Sequence, residues 1–313
     1  MRKSGKTWRI DYLGMGIIPL DLLFSVARYP QVGMKINATD FCMQGGGPVP
    51  NVAVGLSRLG FKTALIAPIG NDPFGKILLG ELKRDRVDVR FMVIKDRPTA
   101  LASGWIEDGR GRRTMVLSRQ VFVRPSDIRT SEYPIPRVLH LDGRDMPATL
   151  KLARWGKHKK ITVSFDIGSM RNDVSAVFKY VDHLVVADSY ALPFTGARTA
   201  RGAIARLARL CPGTIVVTEG VKGSLGYERR EDGATRFVSH PAYRVKTVDA
   251  TGAGDCYHTG YLYGLLKGCD LLQRMKYGSA AAALKCTRPG ARSGIPNQAQ
   301  LRKFLRSNPP VYG

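Results

Sequence analysis

Acidic residues are scarce in this 313-residue chain: 25 Asp and Glu face 49 Lys and Arg, for a formal net charge of +24. An acidic solvating tail is excluded, and a chain so charged draws anions, whether nucleic acid, membrane surface or metabolite. The basic residues are dispersed, however. They fall near the start (Arg2, Lys3, Lys6, Arg9), mid-chain (Lys151, Arg154, Lys157, Lys159, Lys160) and near the end (Arg302, Lys303, Arg306), so no single block forms a docking tail. Aromatics, at 8%, do not interleave with those stretches as a base-stacking surface requires, and no specific nucleic-acid partner is expected. Only five cysteines are present (Cys42, Cys211, Cys256, Cys269, Cys286), odd in number and without a CxxC, which argues against a disulfide framework and against a zinc site. Nowhere do 18 apolar residues follow one another, and Asp11 and Asp21 interrupt the one N-terminal stretch that resembles a secretion signal. A cytoplasmic protein without a membrane partner is the expectation.

Internal repeats are also missing, and the only low-complexity run is Ala280 to Ala283. What the chain does have is alternation. Short apolar or β-branched runs (Ile10 to Met15, Ala64 to Ile69, Val138 to Asp142, Ile161 to Asp166, Leu184 to Ala187, Thr214 to Thr218) alternate with stretches of helical period such as Phe74 to Arg86 and Thr199 to Leu210. That order predicts βαβ units around a mostly parallel, covered sheet. Two segments, Pro30 to Met43 and Pro98 to Val123, break the pattern with hairpin-like runs, Gly109 and Gly111 serving as turn residues in the second. They predict a small antiparallel flap over the carboxyl edge of the sheet. The expected organisation is a single α/β domain over 1–313 with a β lid formed by about 17–43 and 97–123.

The sharpest local feature is Asp249-Ala-Thr-Gly-Ala-Gly-Asp255, followed by helical spacing from Cys256 to Lys267, so Thr251 to Asp255 reads as a loop entering a helix. Gly252 and Gly254 let the backbone approach a ligand, and first-turn N–H groups make an anion pocket. An aspartate there either complements the helix dipole or takes a proton from an acceptor that attacks a phosphate. A second cluster, Gly45-Gly46-Gly47-Pro48-Val49-Pro50-Asn51, also leads into a helix, where Asn51 either caps or binds a hydroxyl. Asp21, just beyond Gly14-Met15-Gly16, suits bidentate hydrogen bonding to neighbouring sugar hydroxyls. Arg144 lies after the strand ending at Asp142, and with Arg110, Arg112, Arg113, Arg119 and Arg124 in the lid it is a candidate for recognising phosphate, sulfonate or carboxylate. For the lid arginines a solvated face is the favoured reading, given how rarely charged side chains are buried.

The two glycine clusters, about 200 residues apart and in this order, resemble the paired signatures of the PfkB (ribokinase-like) carbohydrate kinases from about Ile10 to Phe304. The resemblance implies a ribokinase-like three-layer α/β/α sandwich with a small β-sheet lid, and an ATP-dependent kinase acting on a primary hydroxyl of a sugar or anionic sugar derivative. By position, Asp255 matches the catalytic base, Gly252, Ala253 and Gly254 the anion hole, and Asp21, Gly46, Gly47 and Asn51 the sugar contacts. Thr218, Gly220 and Gly223 resemble the nucleotide-side turn. ATP and Mg2+ are the implied cofactors, often with K+ near Asp249 and Thr251, and a homodimer through the lid is the implied assembly.

The chain departs from the family where Asn-x-x-Glu should stand: Ala187-Asp188-Ser189-Tyr190 has neither motif residue, and Asp188 supplies a carboxylate one position off. The tail from Ala283 to Pro296 is similar to the sulfofructose kinase branch, but the asparagine that branch implies near Leu117 is absent. The altered motif leaves two alternatives open, a catalytically silent sugar- or nucleotide-binding protein and a nucleoside kinase of the same family.

Overall fold

The computed structural model describes residues 10–107, 113–168, 173–230 and 232–308. Gly109, Gly111, Arg110 and Arg112, and the N-terminal Arg2, Lys3, Lys6 and Arg9, lie outside the described residues. In chain order the first half runs β1 (Ile10–Met15), β2 (Leu20–Val26), β3 (Asp40–Gly45), α1 (Pro48–Arg58), β4 (Thr63–Ile66), β5 (Pro68–Gly70), α2 (Pro73–Arg84), β6 (Val93–Lys95), β7 (Leu101–Glu107) and β8 (Arg113–Ser118). The second half runs β9 (Pro136–Leu141), α3 (Met146–His158), β10 (Thr162–Ile167), β11 (His183–Ala187), α4 (Asp188–Thr195), α5 (Ala200–Leu207), β12 (Thr214–Thr218), β13 (Ser224–Arg229), β14 (Thr235–His240), α6 (Ala253–Leu266), α7 (Leu271–Cys286) and α8 (Gln298–Ser307).

Eight strands form the central sheet in the order β14-β13-β12-β11-β10-β9-β1-β4, parallel from β12 to β4 with β13 and β14 antiparallel at one edge. Strand alternation sends side chains to two separate cores. Leu139 and Leu141 of β9, Leu184 and Val186 of β11, and Ile215 and Val217 of β12 pack with α3, α4 and α5 on one face. Val138, Val185 and Val216, at the alternate positions of the same strands, pack with α1, α2, α6 and α7 on the other. Both faces are covered, as a parallel sheet demands, and the result is the three-layer α/β/α sandwich expected.

The lid is a separate four-stranded sheet ordered β3-β2-β7-β8. Its two hairpins are antiparallel, but they join through a parallel β2–β7 pairing, from Leu20↔Leu101 to Val26↔Glu107, so the lid is mixed rather than purely antiparallel. Each hairpin leaves the main sheet as its own excursion, and the two are therefore free to align in the same direction. The lid strand β3 also runs to Gly45, two residues past the expected boundary. The predicted strand from Ala64 to Ile69 is divided at Ala67: β4 stays in the main sheet, while β5 pairs with β6 in a two-stranded sheet.

Candidate active site

Three segments distant in sequence converge at the carboxyl end of the parallel strands, where ligands bind in open α/β sheets. The first is the entry to α6. Gly252 is its N-cap in the left-handed region (φ 75°), and a Cβ there would lie 3.0 Å from Ala291 Cβ, so glycine is required on both counts. The helix begins at Ala253, earlier than the loop reading placed it, which puts Asp255 third in the first turn. Ala253 N–H donates to Ala250 O at 3.1 Å. The helix supplies no acceptor for the amides of Gly254 and Asp255, and these are the two donors left to face an anion.

The second segment is the start of α1. Asn51 Nδ2 donates to Asp255 Oδ2 at 2.7 Å, and Asn51 Oδ1 accepts from Arg292 Nε at 2.9 Å. Arg292, 4% exposed, also donates from Nη1 to Glu81 Oε2 at 3.0 Å and from Nη2 to Gly46 O. Glu81 Oε2 in turn accepts from Gly45 N–H at 2.7 Å. This chain of hydrogen bonds fixes Asp255 from behind. Burial raises the Asp255 pKa and the nearby Asp166 charge adds to that, while the Asn51 hydrogen bond opposes both.

Asp255 opens onto a cavity of about 500 Å³ that is also lined by Gly254, Asp142, Arg144, Asp166 and Tyr190. Arg144 Nε and Tyr190 Oη are buried there without a hydrogen-bond partner. Arg119 lines the same cavity, but its Nη2 is committed to both carboxylate oxygens of Asp145 at 2.6 Å. Burial pushes Asp142 up to about 7, against the pull of Arg144. Burial would raise Asp166 as well, but His258, whose Nε2 lies 3.1 Å from Asp166 Oδ1, holds it below its ordinary value. His140, hydrogen-bonded to Ser164 Oγ, completes a buried His140–Asp166–His258 group beneath this floor.

The third segment frames a second cavity, of about 460 Å³, on the other side of the helix entry. Thr218, Gly220 and Gly223 line it, together with the 242–247 segment, Ala253, Gly254, Tyr257 and part of α7. Gly254 belongs to both cavities. No atom lies within 4 Å of where a Cβ on Gly254 would project, so Gly254 stands in the wall of both spaces with no side chain to fill it.

The sequence-derived positions divide accordingly. Asp255 and Arg144 line the first cavity, Thr218, Gly220, Gly223 and Ala253 the second, and Gly254 both. Asp21, Gly46, Gly47 and Asn51 line neither. Asp21 is 6% exposed and packs on Gly46, while Asn51 reaches the site through Asp255. Asp188 also lines neither cavity: it starts α4 and accepts from Ser189 N–H. Of the described lid arginines, Arg113 and Arg124 are exposed. Near Asp249 and Thr251, where the family resemblance implied K+, the buried ammonium of Lys285 donates to Asp249 O at 2.7 Å. Arg292, Tyr190, Asp166 and His258 were missed by sequence reasoning. Only their burial beside other polar groups marks them, and that is a property of the fold. All five cysteines are free, and among the described residues no helix is long and apolar enough to cross a membrane.

Residues 15–298 match the pfkB family carbohydrate kinase model, and the chain belongs to that family. It is 26% identical over 294 residues to the 2-dehydro-3-deoxygluconokinase of Bacillus subtilis, covering 85% of this chain and 88% of that one. It is 24% identical to the ribokinase of Lactococcus lactis, covering 93% and 96%. The Arabidopsis thaliana ribokinase complexed with ribose and ATP superposes with a TM-score of 0.79 at 20% identity, covering 95% of this chain and 99% of that one. The protein is thus a sugar kinase of the PfkB family with the ribokinase-like fold. A putative ribokinase II from E. coli, solved in complex with ATP and Mg2+, superposes with a TM-score of 0.82 at 20% identity, covering 95% of this chain and 99% of that one.

Proposed function

We propose that this kinase transfers the γ-phosphoryl group of MgATP to a primary hydroxyl of a sugar carrying an anionic group, with Asp255 as general base. The observation that carries the reading is the shared wall at Gly254. A nucleotide in the cavity of Thr218, Gly220 and Gly223 points its terminal phosphate at the Gly254 and Asp255 amides. An acceptor in the other cavity then meets that phosphate beside the Asp255 carboxylate. The nucleotide-side volume lies within the range of small-molecule sites. Asp255 accepts the hydroxyl proton as the oxygen attacks phosphorus, and the amides hold charge on the transferring group, where positioning and electrostatics supply most of the acceleration.

Arg144 supports an anionic acceptor. Its guanidinium lines the acceptor cavity and its Nε is unsatisfied, a costly state for a buried donor unless a ligand completes it. Asp21, Gly46, Gly47 and Asn51 line neither cavity and act from behind the acceptor site, Asn51 through its hydrogen bond to Asp255. Asp188 serves the nucleotide side through water or metal. Phe41 and Met43 of β3 and Val116 of β8 are exposed on one face of the lid, an apolar surface that pairing of two lids would cover in a homodimer. An ADP-release screen over neutral, phosphorylated, sulfonated and carboxylated sugars and nucleosides tests the reading, with Asp255→Asn as control. Acceptor-dependent release that drops roughly 10² to 10⁴-fold in the variant supports it. Release from nucleosides alone would shift it to a nucleoside kinase, and nucleotide binding without turnover by any acceptor would leave only a binding protein.

A further inference from the structure

Lys285 is the most buried cation among the described residues, with no exposed surface, and nothing in the phosphoryl-transfer reading uses it. It sits in the last turn of α7 and its ammonium points at the loop that enters α6. Nζ donates to Asp249 O at 2.7 Å and to Arg288 O at 3.2 Å, and lies 3.8 Å from Asp249 Oδ2. The Asp249 carboxylate ties the same two segments together: Oδ1 accepts from Thr251 N–H and Oδ2 from Gly290 N–H, each at 2.7 Å. Val248 N–H donates to Cys286 O at 2.8 Å, and Gly252 packs on Ala291. A single buried charge therefore stands among oxygen atoms contributed by both segments, three residues before the N-cap of the helix that presents Gly254 and Asp255.

We propose that Lys285 is a tethered monovalent cation for this loop: a positioning residue whose ammonium holds 249–252 in the shape that presents the anion-binding amides, so that no free cation is needed. The proposal rests on the phosphoryl-transfer reading for its consequence, but the site itself is defined by its oxygens. Asp249 O, Arg288 O and Asp249 Oδ2 surround a unit charge, which also offsets the buried carboxylate. Burial works against the ammonium and the Asp249 charge works for it, as a matched internal pair requires. Shortening the side chain to alanine would leave a hole the length of the lysine stem whose far end, where the ammonium stood, is lined by these oxygens and could take a potassium or ammonium ion. Methionine, one atom shorter than lysine, would fill the stem and set an uncharged methyl toward the oxygens, leaving much less room for an ion than alanine does.

The test compares the full-length wild type, Lys285→Ala and Lys285→Met in potassium, ammonium and tetramethylammonium chloride at equal ionic strength. The readouts are melting temperature and the affinity for the ATP analogue AMP-PNP with Mg2+. The wild type is expected to show the same values in all three salts. Lys285→Ala should bind the analogue about tenfold to a hundredfold more weakly in tetramethylammonium, the loss expected for charge-assisted hydrogen bonds. Potassium or ammonium should restore its affinity and raise its melting temperature, while Lys285→Met should gain from neither. Potassium dependence in the wild type, or an alanine variant indifferent to the ions, would overturn the proposal. If neither variant folds, the wild-type melting temperature still decides: a rise with potassium over tetramethylammonium refutes the tethered cation, and equality upholds it. Failure of the wild type to bind the analogue at all would refute the kinase reading, and the ion response of the melting temperatures would still test Lys285.

Discussion

Asn51 and Asp255, 204 positions apart, are joined by a 2.7 Å hydrogen bond in which the amide donates to the carboxylate. The direction is enforced from the other side, because Arg292 Nε donates to Asn51 Oδ1 and a flipped amide would set donor against donor. The two glycine-rich signatures are therefore one structural unit. Asn51 opposes the rise in the Asp255 pKa that burial causes. A general base with a raised pKa works above that value and is lost as pH falls through it. Asn51→Ala is expected to move the acidic limb of the pH–rate profile to higher pH. An unmoved limb would mean that another group limits the rate at low pH.

Gly254 offers a sharper separation of activity from stability. Its Cβ position is empty to 4 Å and its backbone is already helical. Gly254→Ala should fold with unchanged or slightly higher stability, up to about 1 kcal/mol, since alanine is the better helix former. The methyl would stand between the two cavities, where the reacting groups must meet. Turnover should fall tenfold or more while the melting temperature holds. Full activity in this variant would show that the chemistry does not cross that wall.

The layers of the fold and the place of Asp255 at a helix entry were legible because they depend on local pattern: strand alternation, helical period, and a Gly-Ala-Gly-Asp sequence. The contacts were not. Arg292 is an ordinary arginine in a Gly-rich tail until the fold sets it against Asn51 and Glu81. Tyr190 stands in a motif noticed for what it lacked, yet it is Tyr190 that reaches the cavity, while Asp188 does not. The parallel lid pairing escaped too, since a sequence marks hairpins by their turns but carries no local sign of strands joined across 80 residues.

Arg144 should separate acceptors by charge. Its Nε is buried without a partner at the cavity, and Asp142, whose charge it faces, already accepts from the backbone N–H of Ile17 and of Arg144 itself. Arg144→Gln is expected to raise KM for an anionic sugar by about tenfold to a hundredfold. Values for neutral sugars should stay within about twofold. Equal losses for both would place Arg144 in scaffolding rather than recognition.

Asp21 predicts a pH dependence of stability that is independent of catalysis. Burial pushes its pKa up to about 7, with Arg292 pulling down and Asp255 pushing up. Between about pH 4 and pH 7 the folded protein keeps a proton that the unfolded chain has released. Its contribution is therefore fully present at low pH and declines as pH rises through that window, at up to about 1.4 kcal/mol per pH unit. Asp142 acts in the same sense, whereas His140 and His183, pushed by burial to about 3, cost stability as pH falls below their ordinary value. Those groups are common to wild type and variant, so the difference between wild type and Asp21→Asn isolates one carboxyl. Denaturant unfolding should find the variant more stable at pH 8, on the order of 2 kcal/mol, with the advantage vanishing toward pH 4. A difference that does not vary with pH would mean that Asp21 is ionised in the folded protein throughout, and that Arg292 outweighs the cost of its burial.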